Sequence, residues 1–397
     1  MGSLNLNFVP TLQHMALAKV AIAIYSDREV QAFERSLNVS FCFMPDEMWM
    51  DFINKKVSSL VSVVVLQQRV SNLIRAISYE VYKWRHEHFK PKSNYLVFLR
   101  DICWTSLGTI DRLKTALRLL QSENIEVRNR FVLACLYCVE ESIEFFWHQM
   151  NREQRRQFPK YNSSSLVRFY TAKLKKGTEI RWSKFISVPQ PRIKREVAWS
   201  VQDISIGLRY FFTRLSSKEK QRCLAKAINQ LVYPGDIRFY LCNVNWDELT
   251  RFFQVFYLEL ITYFLHWPLQ SLFLDVLRRL WQFFTEESFA NLVHCILQRI
   301  LRNGWRDYDY VSLVQNIWSM CSDDEKERFM KHSLYKAFSV VNDYNPNPPK
   351  PFPLELLEEC LVELSEHYSP KYLDDSGVIY DAPQLVFAAV LSIDKPL

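Results

Sequence analysis

The chain has 397 residues, of which 49% are apolar and seven are glycine. This length can bury a substantial core, and with so little glycine, tight hairpins and phosphate-cradling loops are expected to be scarce. The net charge is +7, and the nine cysteines, an odd number without regular spacing, argue against a disulfide framework. No secretory signal is expected, so the chain is predicted to be cytoplasmic, with a nuclear location left open.

The first part of the chain carries helical patterns. Apolar residues recur at helical spacing from Pro10 to about Tyr25 and from Val63 to Phe89, which predicts one short and one long helix. The pattern over residues 94–150 predicts three or four shorter helices, and Asn151 followed by Gln154 marks a further turn. We predict that residues 1–157 form an amino-terminal helical region.

The sharpest change in composition lies at residues 152–195, which hold thirteen Lys and Arg against two acids. Gly177, Pro189 and Pro191 punctuate this segment, so residues 158–195 are predicted to be an irregular basic linker. A solvated linker is one interpretation. The other is a patch for phosphates or acidic proteins, because cations alternate with aromatic residues as they do in grooves that stack bases. The candidate binding residues are Arg168, Lys173, Lys175, Lys176, Arg181, Trp182 and Lys184.

A spaced pair of aromatic residues followed by Ser or Thr recurs four times in the second half. The sets are Trp199, Phe212 and Ser216; Tyr233, Trp246 and Thr250; Trp267, Trp281 and Thr285; and Trp305, Trp318 and Ser322. The Ser and Thr positions lie 34, 35 and 37 residues apart, a period in the range of two-helix repeats. Ser216 with Glu219 and Ser322 with Glu325 match capping boxes, whereas Asn245 with Glu248 is a rival start for the helix at Thr250. We predict helical hairpin repeats over residues 196–340, with the aromatic pairs in the core.

One apolar stretch, Phe252 to Leu274, is long enough to span a membrane and contains a single charge, Glu259. A carboxylate near the middle costs about 3 kcal/mol on insertion, and Pro268 lies where the next helix of the repeat would begin. The favoured interpretation is a buried helix, and no membrane partner is expected.

The carboxyl-terminal residues 341–397 are predicted to form a proline-rich spacer, an acidic helix over residues 354–367 and a tail. The prolines favour an extended spacer, and Pro348 to Pro351 also match a PxxP ligand. From Glu355 to Leu397 there are nine acids and two lysines. Pairing of this acidic end with the basic linker is a hypothesis.

The sequence contains no motif typical of catalysis, metal binding or cofactor binding. Cys135 and Cys138 form a lone CxxC in an apolar helical stretch, which favours core packing. His86 and His88 are two residues apart, so they cannot bind one ion as an i, i+4 pair could. The protein is expected not to be an enzyme and to need no cofactor, although catalytic groups can converge from distant positions.

Two stretches resemble known families. Residues 106–114, running on to Leu119 and Leu120, resemble the second helix of a degenerate ankyrin-type unit. Residues 130–150 are similar to a family of helical proteins of arthropods, best represented in spiders, and this resemblance extends over roughly residues 12–340. It implies a helical-repeat fold and no particular activity.

These patterns together predict an all-α fold in which an irregular α-solenoid of helical hairpins follows an amino-terminal helical region. Solenoids expose a long curved face, so we expect a protein-interaction scaffold for a protein partner. The alternative is binding of nucleic acid or another polyanion through residues 152–195. Binding to phosphates weakens steeply with salt, which distinguishes the two functions.

Overall fold

The computed structural model describes residues 10–88, 100–161, 165–177, 212, 215–217, 219–220, 224, 234–243, 250–345 and 351–365. These residues are mostly helical, and none of them lies in a β-strand. One isolated antiparallel bridge joins Trp104 and Ile110 ahead of a helix. The all-α class is therefore confirmed.

Four α-helices and two 3-10 turns, Phe41–Phe43 and Asp46–Met48, occupy the described residues up to 88. The α-helices are α1 (Leu12–Tyr25), α2 (Arg28–Ser36), α3 (Met50–Leu60) and α4 (Val64–His88). Thr11 and Asp27 cap α1 and α2 by accepting hydrogen bonds from amides of the first turn. The short and long helices predicted here are both confirmed, because the apolar stripe of α4 is buried from Val70 onward.

Five more helices follow, namely α5 (Arg112–Leu120), α6 (Val127–Leu136), α7 (Glu140–Gln149), α8 (Arg152–Tyr161) and α9 (Ser165–Lys176). The first three confirm the short helices predicted before residue 150. Asn151 and Gln154 exchange side-chain hydrogen bonds with each other's backbone amides at 2.9 and 3.0 Å, which caps α8.

The prediction of an irregular linker is wrong over the described part of the basic segment. Ser165–Lys176 is a helix, in which Leu166, Val167 and Tyr170 are buried. Gly177 ends it with a φ of +61°, the left-handed conformation that glycine adopts most easily. The excess of charge concealed a helix with a buried apolar side, whereas Lys175 of the same helix is exposed. Residues 178–195 lie outside the described residues.

The second half contains α10 (Pro234–Cys242), α11 (Thr250–Tyr263), α12 (Phe273–Leu280), α13 (Glu286–Cys295), α14 (Tyr310–Met320), α15 (Asp323–Met330), α16 (Tyr335–Asn342) and α17 (Leu354–Ser365). A π-helical segment, Ile296–Leu301, extends α13. The acidic helix begins at Leu354, as predicted. Trp199, Tyr233 and Trp246 of the repeat lie outside the described residues.

The helix starts predicted from capping residues are confirmed at two positions. Ser322 and Glu325 form the expected capping box at α15. Thr285 caps α13, but its reciprocal partner is the hydroxyl of Ser288 rather than a carboxylate. At Ser216, the backbone amide donates to the Glu219 carboxylate at 2.9 Å, which is half of the predicted box.

The predicted core position of the repeat tryptophans holds only in part. Trp281 and Trp318 are each half-buried, and Trp281 lies in a 3-10 turn whereas Trp318 lies inside α14. Phe212, by contrast, is fully buried. The common register of the repeat therefore stays a prediction.

The apolar stretch at 252–274 is not one helix. The helix α11 ends at Tyr263, and the next helix begins at Phe273 after a 3-10 turn, Gln270–Leu272, so Pro268 precedes the helix instead of starting it. Within the part of the chain that the structure describes, every helix is too short or too polar to cross a bilayer.

The chain divides into two compact units. One consists of Glu80–Leu249, with Met1 assigned to it, and the other combines Gly2–Tyr79 with Thr250–Leu397. In the first unit, α6 packs against α5, α7 and α9, and in the second, α13 packs against α15 while α16 packs against α14 and α17. The regions predicted from the sequence are consecutive segments of the chain, whereas the second unit combines two segments that are distant in sequence. The predicted regions stay predictions.

Candidate functional site

The described part of the basic segment forms a cationic helix pair, which we define as α8 and α9. The two helices pack against each other and carry eight Lys and Arg against one acid, Glu153. Arg152, Arg156 and Lys175 are exposed. The pair therefore presents positive charge to solvent while its apolar side is buried.

The predicted binding residues differ in their surroundings. Arg168 and Lys173 are half-buried in α9, and Lys173 pairs with Glu140 at 3.7 Å, which offsets part of its charge. Lys175 is exposed, and Lys176 is the last residue of the helix. Arg181, Trp182 and Lys184 lie outside the described residues.

The aromatic residues of α9 cannot stack on bases. Phe169 and Tyr170 are 7% and 2% exposed, and their rings pack edge to face with centroids 5.0 Å apart. The expectation of a base-stacking groove is therefore wrong at these two residues, because the helical period turns both rings towards the core. The feature of α9 that could still bind a polyanion is its positive charge.

A second surface feature, which sequence reasoning missed, is an aliphatic corner formed by Leu60, Val63, Val64 and Val65. These side chains are 69%, 53%, 73% and 63% exposed. They lie at the junction between α3 and α4, so six consecutive positions present four large apolar side chains to solvent. The signal in the sequence was a run of valines ahead of the buried stripe.

The charged residues in the stretch of sequence around the aliphatic corner are all cations. Residues 52–79 contain four cations, Lys55, Lys56, Arg69 and Arg75, and no acid. Lys55 and Arg69 are exposed, whereas Lys56 pairs with Glu29 and with Asp27. The corner thus has cationic side chains on both of its helices.

The most elaborate polar contact in the second unit centres on Arg75 of α4. Its guanidinium donates to Asp46 Oδ1 at 2.5 Å, to the Met44 carbonyl at 2.9 Å and to the Asn303 carbonyl at 3.1 Å. It also lies over the rings of Trp49 and Trp305, 5.7 and 5.9 Å from their centroids. A buried charge with this many partners is well satisfied.

Gly304 allows the chain to approach Asp46 closely. Its φ is +73°, and a Cβ at this position would lie 3.4 Å from Asp46 Oδ2. The residue follows the π-helical segment, and Trp305 comes directly after it. The backbone conformation of Gly304 therefore helps to bring Trp305 to Arg75.

Next to this centre lies a small polar network around Asp307. Gln270 Nε2 donates to Asp307 Oδ2 at 2.7 Å, and the Tyr310 hydroxyl lies 3.1 Å from Asp307 Oδ1 and 3.0 Å from the Leu265 carbonyl oxygen. Burial raises the pKa of Asp307 to about 6, against the smaller lowering effects of its hydrogen bonds and of Arg75. A carboxyl group in this network can change its protonation near neutral pH.

The residues considered for chemistry in the first unit have structural partners. His88 Nδ1 lies 2.6 Å from the Trp84 carbonyl and Nε2 lies 2.8 Å from the Tyr137 hydroxyl, and burial lowers the pKa of His88 to about 4.

Cys135 and Cys138 are both buried, which agrees with core packing. Burial raises the pKa of the Cys138 thiol to about 11, so it is protonated at neutral pH. Among the described residues, no group of three or more His, Cys, Asp or Glu could hold a metal ion.

The acidic helix α17 lines an open groove of about 560 Å³. The lining residues are Arg302, Glu355, Glu358, Glu359, Val362 and Glu363. Glu363 also pairs with Lys336 of α16 at 2.5 Å. The acidic helix therefore has cationic neighbours in its own unit, and the hypothesis that it pairs with the basic segment stays untested.

Comparison of the chain with protein-family models, with curated proteins and with solved structures found no match. The resemblances to the arthropod family and to the ankyrin-type unit stay predictions.

Proposed function

We propose that the protein is a cytoplasmic protein-interaction scaffold of helical hairpins in an irregular α-solenoid. The observation that carries this proposal is the aliphatic corner, whose four side chains are more than half exposed. Removing an aliphatic side chain of this exposure from water contributes on the order of 1 kcal/mol. Four of them together suit a protein partner.

The stacking of hairpins is supported by a row of aromatic contacts. Trp281 lies 6.0 Å from Phe289, Phe289 lies 4.8 Å from Phe329, and Phe329 lies 6.0 Å from Trp318, measured between ring centroids. The row connects the third aromatic set of the repeat with the fourth. A buried contact between consecutive units is what a solenoid requires.

The partner that fits the aliphatic corner is a protein with an apolar ridge bordered by acidic residues. The absence of acids from residues 52–79, together with exposed Lys55 and Arg69, favours an acidic border. Apolar contacts would supply most of the affinity, and the charges would orient the partner. Binding is therefore expected to weaken only moderately as salt rises.

The test is affinity capture from cell extract with the full chain, followed by binding of each captured protein in purified form. The corner variant carries Val63→Ser, Val64→Ser and Val65→Ser. The matched control carries Leu356→Ser and Val362→Ser, which remove exposed apolar side chains from α17.

We expect a protein that binds the chain and the control but not the corner variant, and that crosslinks to Lys55. Equal binding to all three chains contradicts the proposal. Two further results also contradict it: concentration-dependent dimerisation of the purified chain that the corner variant abolishes, and binding to lipid vesicles that the corner variant abolishes.

A second candidate function, binding of nucleic acid or another polyanion, is favoured by the cationic helix pair. Its exposed cations are expected to contact phosphates without reading bases, because Phe169 and Tyr170 are buried. The probe is a fluorescent single-stranded RNA, and the variant changes Arg152, Arg156 and Lys175 to Gln.

The matched control for this probe changes Lys326, Arg328 and Lys331 to Gln, which removes the same charge from α15 and from the residue that follows it. Each phosphate contact that is lost makes the fall of log affinity with log salt less steep by about 0.7. A less steep fall in the α8–α9 variant alone supports polyanion binding. Equal slopes in the two variants contradict it.

A further inference from the structure

The Tyr310 hydroxyl has one hydrogen but two acceptors within reach. The Leu265 carbonyl oxygen lies 3.0 Å from it and Asp307 Oδ1 lies 3.1 Å from it. Gln270 Nε2, at 3.1 Å, donates to the same hydroxyl oxygen. Only one of the two acceptors can receive the tyrosine hydrogen at a time.

The protonation state of Asp307 determines which acceptor receives the hydrogen of the Tyr310 hydroxyl. A neutral Asp307 donates its own hydrogen to the Tyr310 oxygen, which leaves the tyrosine hydrogen for the Leu265 carbonyl. An ionised Asp307 has no hydrogen and attracts the tyrosine hydrogen more strongly than a neutral carbonyl does. The buried Leu265 carbonyl then loses its donor from Tyr310.

We propose that Asp307 and Tyr310 form a proton-operated latch that holds the connection between α11 and α12 to the start of α14. In the closed state Asp307 is neutral and Tyr310 donates to Leu265. In the open state Asp307 is ionised and Tyr310 has turned to it. The proton moves between Asp307 and solvent, and no other bond is made or broken.

The surroundings of Asp307 favour a neutral carboxyl in the closed state. Burial raises its pKa to about 6, which outweighs the lowering effects of Tyr310 from α14, of Gln270 from the 3-10 turn and of Arg75 from α4. Arg75 is itself paired with Asp46, which also lies 3.9 Å from Arg306. Tyr308, in the same segment as Asp307, has a pKa raised by burial and by Asp309, so it stays neutral here.

The latch controls a connection that makes a further contact. Trp267, two residues after Leu265, stacks on His14 of α1 with ring centroids 4.7 Å apart. Opening of the latch is therefore expected to loosen the connection that carries Trp267. The consequence is a local change in the second unit as the pH rises through about 6.

The test is hydrogen exchange of the full chain at about pH 5 and about pH 7.5, on either side of the Asp307 pKa. After correction for intrinsic exchange, peptides covering residues 264–272 are expected to exchange about fivefold faster at the higher pH, the equivalent of one lost hydrogen bond. Asp307→Asn should remove this response, because an amide donates to Tyr310 at every pH. Tyr310→Phe should give fast exchange at both values.

Asp309→Asn is the matched control. It removes an acid two residues away, and Asn preserves the cap that Asp309 provides for α14. This control should keep the full response. Equal protection of the unmodified chain at the two pH values, or a response that survives Asp307→Asn, overturns the proposal.

If the variants at Asp307 and Tyr310 do not fold, carboxyl-carbon NMR of the unmodified chain decides. A buried carboxyl that titrates near about 6 and shifts together with the Tyr310 ring supports the latch. Titration of Asp307 at its ordinary value overturns it.

Discussion

Arg75 donates a hydrogen bond to the backbone carbonyl of Asn303, which lies 228 residues later in the chain. This contact belongs to the second compact unit, which combines an amino-terminal segment with the carboxyl-terminal helices. The same guanidinium donates to Asp46 and to the Met44 carbonyl, so one side chain connects α4 to two other stretches of backbone. Arg75 is therefore expected to contribute strongly to the stability of that unit.

Arg75→Leu is predicted to lower the free energy of unfolding by about 3 to 5 kcal/mol. The substitution leaves Asp46, whose side chain is 18% exposed, without its main counter-charge, and breaking one side of a buried ion pair costs this much. Urea unfolding measures the loss. Arg69→Leu, at an exposed position of the same helix, should change it by less than about 0.5 kcal/mol. A similar loss in both variants would contradict the importance of the buried contacts.

Phe329→Ala is predicted to cost about 3 to 5 kcal/mol, and Trp281→Ala less. Phe329 is 1% exposed and contacts Phe289, Trp318 and Phe338, whereas Trp281 is half-buried. A buried ring leaves a larger cavity than one that already faces water. Thermal and urea unfolding of the two variants give the comparison. A larger loss for Trp281→Ala than for Phe329→Ala would contradict the prediction that the more buried ring contributes more to stability.

Ser322→Ala is predicted to cost about 1 kcal/mol because it removes the side chain that caps α15. The matched variant is Ser319→Ala, three residues earlier, whose hydroxyl donates to the Asn316 carbonyl inside α14. That hydroxyl caps no helix start, so its loss should be near zero. Unfolding by urea separates the two variants. If Ser319→Ala costs as much, the capping interpretation is wrong.

The helices that the sequence predicted best are those with strong local signals. α4 has a long apolar stripe, and α15 has a capping box, and both depend on residues within a few positions of each other. The helix α9 was missed because thirteen cations in its segment dominated the composition, although Leu166, Val167 and Tyr170 already lay at helical spacing.

The Arg75 centre could not be predicted, because its partners are distant in sequence. The only local signal was a cation among the buried residues of α4, in a stretch of 28 residues without an acid. That pattern requires a distant partner but does not identify Asp46 or Asn303. The network at Asp307 was hidden for the same reason, since Gln270 and Leu265 come from another connection.

The first unit is predicted to lose stability in acid through His88. The folded protein keeps this imidazole neutral, with Nδ1–H donating to the Trp84 carbonyl and Nε2 accepting from Tyr137. Burial lowers its pKa from an ordinary 6.5 to about 4, so the unfolded chain binds the proton more tightly. The contribution to stability is therefore complete above about pH 6.5 and is lost as the pH falls towards about 4.

The size of this loss is at most about 3 kcal/mol, because each tenfold difference in proton affinity between the folded and unfolded chains is worth about 1.4 kcal/mol. Urea unfolding between about pH 7 and about pH 4 measures it, and His88→Gln, which cannot titrate, should flatten this part of the curve. His148→Gln, which removes an exposed histidine from α7, is the matched control. Because acids elsewhere also titrate in this range, the result that counts is the difference between these two variants. Identical curves for the two variants would mean that His88 does not cause the loss of stability in acid.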